Sequence, residues 1–180
     1  MIYVFLAEGF EEVEALATVD VLRRAGIEVK TVGVTGATVS GSHSISVVCD
    51  AFIDDVTPDE SIEAVVLPGG MPGTLNLEKS DKVNEFIDYA YANGKYVCAI
   101  CAAPSILGKK GLLEGKEAIC FPGFEEYLYG AKVSANSVCV DGKIITAKAC
   151  GVALKFGKVI AEQFVGKEKA DKLWETLYND

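Results

Sequence analysis

Histidine is scarce: His43 is the only one among 180 residues. That scarcity excludes the usual histidine-bearing zinc centres, and the cysteine spacings match no all-cysteine site, so no metal is expected. Basic charge is also short. Seventeen Lys and Arg face 26 Asp and Glu, a formal charge of −9, which opposes a nucleic-acid reader because such a protein displaces counterions with a basic footprint. Long hydrophobic runs are missing too. The apolar, uncharged stretch Tyr96 to Gly108 is too short to span a bilayer and contains Pro104, so no membrane partner is expected. Met1 to Ala7 is apolar without a positive leader, and Glu8, Glu11, Glu12 and Glu14 follow at once, which is not a signal-peptide pattern. The expectation is a soluble, cytoplasmic protein.

Half of the residues are hydrophobic, enough to exclude general disorder and to build a substantial core. The length fits one domain over residues 1–180. Six cysteines (49, 98, 101, 120, 139, 150) lie mostly in apolar, β-branched runs such as Val47-Val48-Cys49 and Ser137-Val138-Cys139-Val140. They read as buried thiols of a reducing compartment rather than a disulfide framework.

The hydrophobic period alternates between strand and helix. Tyr3 to Ala7 is a short continuous apolar run ended by Glu8-Gly9, a buried strand. A helix from Glu11 to Ala25 has acids in its first turn, Arg23 and Arg24 in its last, and Gly26 as its stop. Ile27 to Val34 is the next strand, which completes a βαβ unit. Thr38 to Ser40 and Ile45 to Cys49 form a hairpin around Gly41-Ser42-His43. The rhythm resumes after an acidic loop, with strands at Ala64 to Leu67 and Tyr96 to Ile100 and a helix from Asp81 to Ala92. Pro104 opens another helix. Val138 to Val140 and Lys143 to Ala147 flank an Asp141-Gly142 turn, and helices at Gly151 to Phe164 and Lys167 to Leu177 end the chain. The fold class is α/β: one doubly wound, mostly parallel sheet with helices on both faces.

The first helix has two inward-looking stripes. Glu12, Ala15, Leu16, Val19 and Leu22 form one; Glu14, Thr18, Val21 and Ala25 form a second where a surface helix would be polar. Either the helix is covered by the rest of its own chain or the second stripe meets another subunit.

Ligands of open parallel sheets sit beyond the carboxyl ends of the strands. Three such ends are unusual here: Ala7-Glu8-Gly9, Leu67-Pro68-Gly69-Gly70 and Ile100-Cys101-Ala102-Ala103-Pro104. A cysteine between a buried strand and a helix occupies the sharp turn where hydrolases hold a nucleophile, and helix N–H groups nearby favour a thiolate. Gly69 and Gly70 let backbone approach a ligand, and the amides of Gly70 and Ala102 suit an oxyanion hole over Cys101. Cys98-Ala-Ile-Cys101 has a C-x-x-C spacing. Three extended residues span about 10 Å, however, and bridged Cα atoms lie within about 7 Å, which excludes a redox dithiol. A Cys–His peptidase needs an adjacent imidazole, and the residue after Cys101 is alanine. A carboxylate is left as the partner of the thiol, with Glu8, Glu11, Glu12 and Glu14 all clustered after the first strand. Residue types alone do not choose among them.

Val65-Val66-Leu67-Pro68-Gly69-Gly70, Ala99-Ile100-Cys101-Ala102-Ala103-Pro104 and Ala7-Glu8-Gly9-Phe10-Glu11-Glu12-Val13-Glu14 resemble the ThiJ/PfpI superfamily. Val19-Asp20-Val21-Leu22-Arg23-Arg24-Ala25-Gly26 is similar to its Parkinson-disease deglycase branch, which includes glyoxalase III-like proteins. The resemblance implies a flavodoxin-like fold and a homodimer whose contact includes the first helix. It implies that Cys101 is the reactive cysteine, Glu14 a protonated glutamate bonded to it, and Gly70 and Ala102 the backbone donors. It also implies that His43 lies near a position contributed across the dimer. Two departures stand out: Phe121-Pro122 where the family commonly has His-Pro, and Lys148-Ala149-Cys150-Gly151 where relatives often have Arg-Gly-Pro-Gly.

The function expected from this combination is a cofactor-independent glyoxalase or deglycase acting on small α-oxoaldehydes such as methylglyoxal. The alternative is a cysteine-oxidation sensor or chaperone-like stress protein with little turnover, which the absence of the histidine favours.

Overall fold

The computed structural model describes residues 1–177. Its elements in chain order are β1 (Ile2–Leu6), α1 (Glu12–Arg24), β2 (Val29–Gly33), β3 (Thr38–Ser40), β4 (Ser46–Val48), β5 (Ala51–Phe52), β6 (Ala64–Leu67), α2 (Gly73–Lys79), α3 (Asp81–Ala92), β7 (Tyr96–Ile100), α4 (Pro104–Lys109), β8 (Glu117–Ala118), β9 (Lys132–Val133), β10 (Val138–Asp141), β11 (Ile144–Ala147), α5 (Ala153–Val165) and α6 (Lys167–Leu177). Seven strands form the central sheet in the order β10-β11-β7-β6-β1-β2-β5. All of its pairings are parallel except β10 with β11, the Asp141-Gly142 hairpin.

Strand periodicity divides the core into two layers. Tyr3, Phe5, Val65, Leu67, Val97 and Ala99 face one way, toward α2, α3 and α4; there Phe86 packs against Tyr3 and Phe5 at 5.2 and 5.0 Å between ring centroids. Ile2, Val4, Leu6, Val66, Cys98 and Ile100 face the other way, toward α1 and α5. Each fully buried aliphatic side chain contributes about 1.5–3 kcal/mol relative to exposure, so both faces must be covered. Helices on both sides of a parallel sheet are the result. Among the described residues no helix is long and apolar enough to cross a membrane.

The second stripe of α1 faces α5 of the same chain. A Cβ on Gly157 would lie 3.0 Å from Val21 Cβ and 3.3 Å from Thr18 Cα, and Ala25 packs on the same layer. Close helix approach explains the small residues, so the intersubunit reading of this stripe is corrected. The large apolar residues of α1 that stay outside are Val13, 53% exposed, and Leu16, 36% exposed; Leu16 is therefore not part of the inward face assigned to it.

Candidate active site

Because β1, β6 and β7 are neighbours in the sheet, their carboxyl ends bring Ala7-Glu8-Gly9, Pro68-Gly69-Gly70 and Cys101 to one edge. The chain reverses direction across the sheet here, the place where such folds leave a crevice. Cys101 is held at φ +65°, left-handed backbone that costs a non-glycine residue about 1–3 kcal/mol. Two hydrogen bonds hold it there. Its N–H donates to the Ala147 carbonyl at 2.9 Å and its carbonyl accepts from Phe121 N–H at 2.8 Å. The strained turn lifts the side chain off the strand end.

The amides of Gly70 and Ala102 donate to the Cys101 sulfur. Glu14, only 1% exposed, reaches the same thiol from the first turn of α1. Its Oε2 accepts from Gly69 N–H at 2.8 Å. Its Oε1 has no hydrogen-bond partner, and the carboxyl as a whole interacts with the Cys101 thiol. Burial raises the Glu14 carboxyl to about 7; the Cys101 and Gly69 hydrogen bonds oppose this and the charge of Glu11 adds to it. The thiol is pushed up as well, by burial first and then by the Glu14 carboxylate, against the pull of the two amides. Two acids this close hold one proton between them over a wide pH range, and they titrate as a pair. A thiolate forms here when Glu14 holds the shared proton; the short helix α4 does not produce it unaided, which corrects the expectation of a lowered thiol pKa.

The glycines are forced by proximity. A Cβ on Gly69 would lie 2.7 Å from both Cys101 Cβ and Glu14 Oε2, and one on Gly70 (φ +89°) would lie 2.4 Å from Glu11 N. The Gly70 and Ala102 amides lie against the sulfur, whereas the Gly69 N–H is taken by Glu14, so Gly69 positions the carboxyl rather than binding an oxyanion.

The four clustered acids separate by geometry. Glu8 Oε2 accepts from Ser40 N–H. Glu11 caps α1, accepting from Glu14 N–H at 2.6 Å. Glu12, 4% exposed, accepts from His43 N–H at 2.7 Å and bonds His43 Nδ1 at 2.9 Å, fastening the β3–β4 hairpin to α1. Only Glu14 meets the thiol. His43 is thus engaged by Glu12 within its own chain, and the Cys101 sulfur meets Glu14, Gly70 and Ala102 instead. Ligand atoms of Glu11, Glu12 and His43 lie within 4.8 Å of one another, but their own hydrogen bonds account for the cluster. Cys98 is fully buried within β7, and all six cysteines are free.

Residue reasoning found the three strand ends and missed two features: the positive φ of Cys101 and the use of Gly69 to hold Glu14. The sequence did carry a signal for Glu14, an acid on an otherwise small and apolar stripe.

The chain matches the DJ-1/PfpI family over residues 1–163. It is 38% identical over 176 residues to protein DJ-1 homolog A of Arabidopsis thaliana, an alignment covering 96% of this chain and 45% of that protein, so it spans less than half of that relative. It is 28% identical over 171 residues to the glutathione-independent glyoxalase DJR-1.2 of Caenorhabditis elegans, covering 94% of this chain and 91% of that one. Oxidized DJ-1 of Toxoplasma gondii superposes with a TM-score of 0.93 at 33% identity, covering 98% of this chain and 96% of that one. A sheet of this order, with a strained cysteine facing a buried glutamate at its carboxyl edge, belongs to a chain that is a member of the DJ-1/PfpI family.

Proposed function

We propose that the protein is a cofactor-independent, glutathione-independent glyoxalase of small α-oxoaldehydes such as methylglyoxal, with deglycation as the same chemistry on adducts. One observation carries this reading: a thiol under two backbone amides shares its proton with a buried carboxyl raised to about 7. With that proton on Glu14, the Cys101 thiolate adds to the aldehyde carbon, and Glu14 protonates the new alkoxide to give a hemithioacetal. The Glu14 carboxylate then removes the C1 proton and returns it to C2 through an enediol, leaving a thioester. Water deprotonated by Glu14 cleaves the thioester, releasing lactate and the thiolate. The Gly70 and Ala102 amides stabilise oxygen charge that develops beside the sulfur.

Methylglyoxal loss and lactate formation without glutathione test this, with wild type set against Cys101→Ser. Lactate made only by wild type supports it. Aldehyde loss without lactate, or equal lactate from both proteins, refutes it.

A second reading rests on Phe121, 43% exposed where a histidine acid is common in the family. Without that acid, turnover is slow and Cys101 serves as a peroxide sensor. Two peroxides convert the thiol to a sulfinate with release of two waters, and the Gly70 and Ala102 amides hold its oxygens. Addition of two oxygens to Cys101 alone supports it; oxidation scattered over the six thiols counts against it.

The protein is further proposed to work in the reducing cytoplasm and to pair as a homodimer through the outward face of α1, where Val13 and Leu16 are exposed and Val13 shares a surface hollow with Leu154 of α5. Sedimentation of Val13→Asp tests the pairing: a monomer is expected, and an unchanged mass removes α1 from the contact. His43 is assigned to the partner's site in that dimer. His43→Ala should slow wild-type lactate formation, and an unchanged rate removes it.

A further inference from the structure

A cleft of about 260 Å3 opens between α2, α4 and the segment after Phe121, lined by Met71, Leu75, Phe124 and Tyr127 with Thr74 and Ser105. It is separate from the thiol but adjoins its frame. Thr74 N–H donates to the Gly70 carbonyl at 2.9 Å, and Phe124 N–H donates to that of Phe121 at 3.0 Å. Ser105 Oγ donates to the Ala102 carbonyl at 2.7 Å.

Two observations point to a ligand. The first is Thr74, 1% exposed, whose Oγ1 is buried and has no hydrogen-bond partner. An unpaired buried hydroxyl is costly, and in a helix it has the carbonyl four residues back within reach. Thr18 Oγ1 makes that bond to the Glu14 carbonyl at 2.7 Å, whereas Thr74 Oγ1 does not and leaves the Gly70 carbonyl to the Thr74 N–H alone. The second is the character of the walls. Phe124 and Tyr127 stand at 5.9 Å between centroids, and Met71 and Leu75 remain partly exposed apolar surface. A dry cavity of roughly 150 Å3 accommodates benzene, so this cleft has room for one aromatic ring and its substituent.

Charge narrows the class. The one cation of the cleft, Lys109, is bound by both Glu78 oxygens at 2.9 Å and lies over the Tyr127 ring at 5.2 Å. It has no surplus charge to offer an anion. We infer that this cleft is a binding site for a small neutral aromatic molecule bearing one hydrogen-bonding group, which pairs with the Thr74 hydroxyl while its ring lies among Met71, Leu75, Phe124 and Tyr127. The site stands independently of the chemistry at Cys101.

Phenol and toluene, titrated separately into 15N-labelled protein, serve as probes. With phenol, saturating amide shifts are expected at Thr74, Ser105, Gly123 and Phe124, with the Cys150–Leu154 amides unmoved. Phenol should bind more tightly than toluene to the wild type. The near-isosteric Thr74→Val should weaken phenol about fivefold to tenfold, one buried neutral hydrogen bond, leave toluene unchanged, and be rescued by Thr74→Ser. Shifts spread over the surface, toluene binding as tightly as phenol, or a Thr74→Val protein that holds phenol undiminished would each overturn the assignment. The phenol–toluene comparison in wild type decides the matter even if Thr74→Val fails to fold.

Discussion

Gly69 N–H donates to Glu14 Oε2 at 2.8 Å across 55 positions of sequence, and the same glycine leaves the gap through which that carboxyl reaches the Cys101 thiol. A methyl group there would sit 2.7 Å from both partners. Gly69→Ala should therefore separate the pair, destabilise the fold by about 1–3 kcal/mol through overpacking, and change the rate of Cys101 alkylation by iodoacetamide. Gly151→Ala is the control, because open space surrounds that Cα. Equal alkylation rates in the Gly69 variant and wild type would show that the two side chains do not depend on this glycine.

The shared proton predicts a pH profile. Below pH 7 both Glu14 and Cys101 are protonated; as pH rises through about 7 the pair loses its first proton, and a thiolate–acid form becomes available. Both kcat/KM for methylglyoxal and the alkylation rate should rise across that window. Glu14→Gln removes the titrating carboxyl, so the limb near 7 should vanish and turnover should fall by about 10²–10⁴-fold. A Gln variant that keeps the limb would assign it to another group.

The buried Glu12 predicts a different pH response, in stability. Burial alone would raise its carboxyl, but the His43 side chain and nearby backbone amides, including those of His43 and Ile45, bring it from 4.5 down to about 2. Its stabilising contribution is complete above pH 4.5 and is lost as pH falls toward 2. The His43 pKa is raised by the same bond from its ordinary 6.5, so its contribution is complete below 6.5 and fades as pH rises through the raised value. The Glu12–His43 contact is strongest between those limits. Glu12→Gln should cost about 1–3 kcal/mol there and flatten the acid limb of urea stability between pH 4.5 and 2. Parallel wild-type and variant curves would rule out this contact as their source.

Much of this arrangement was legible in the residues. The runs Ala64–Leu67 and Tyr96–Ile100 and the helix Asp81–Ala92 have the expected bounds, because short β-branched runs and a capped periodic helix carry their own limits. The helix Gly73–Lys79 went unread: seven residues following Pro-Gly-Gly-Met-Pro offer two turns of pattern, and its buried positions are Gly73, Thr74 and Leu77. Glu14 was unresolved among four acids, since first-turn acids also complement a helix dipole. Glu12 and Glu14 both lie on inward stripes, and only the approach of β7 to α1 decides which of them meets sulfur.

The second stripe of α1 shows the limit of a helical wheel, which records that a face is covered but not what covers it. Here it is α5, with Gly157 against Thr18 and Val21. Gly157→Leu should force the helices apart and lower stability by about 1–3 kcal/mol or more without altering the pH limb at Cys101. A variant as stable as wild type would mean that the two helices have slack to separate.

Phe121 offers a gain-of-function test. Its N–H donates to the Cys101 carbonyl at 2.8 Å, so its backbone belongs to the frame of the thiol while its side chain is partly exposed. A side chain there needs no new fold to reach solvent near the turn, and an imidazole in that place adds a second proton donor and acceptor to a site that has only Glu14. One positioned acid–base group contributes about 10²–10⁴-fold when well aligned. A graft without a tuned surrounding shell should deliver the lower part of that range or less. Phe121→His should therefore raise lactate formation by about tenfold or more and introduce a new pH limb near the histidine range. It should leave the Glu14-dependent limb near 7 in place, and combination with Glu14→Gln should remove most of the gain. If lactate formation is unchanged while the histidine limb appears in alkylation, the imidazole reaches the thiol but not the substrate oxygen. Turnover is then restricted by something other than the missing acid, and the sensor reading of Cys101 gains the ground that the glyoxalase reading loses.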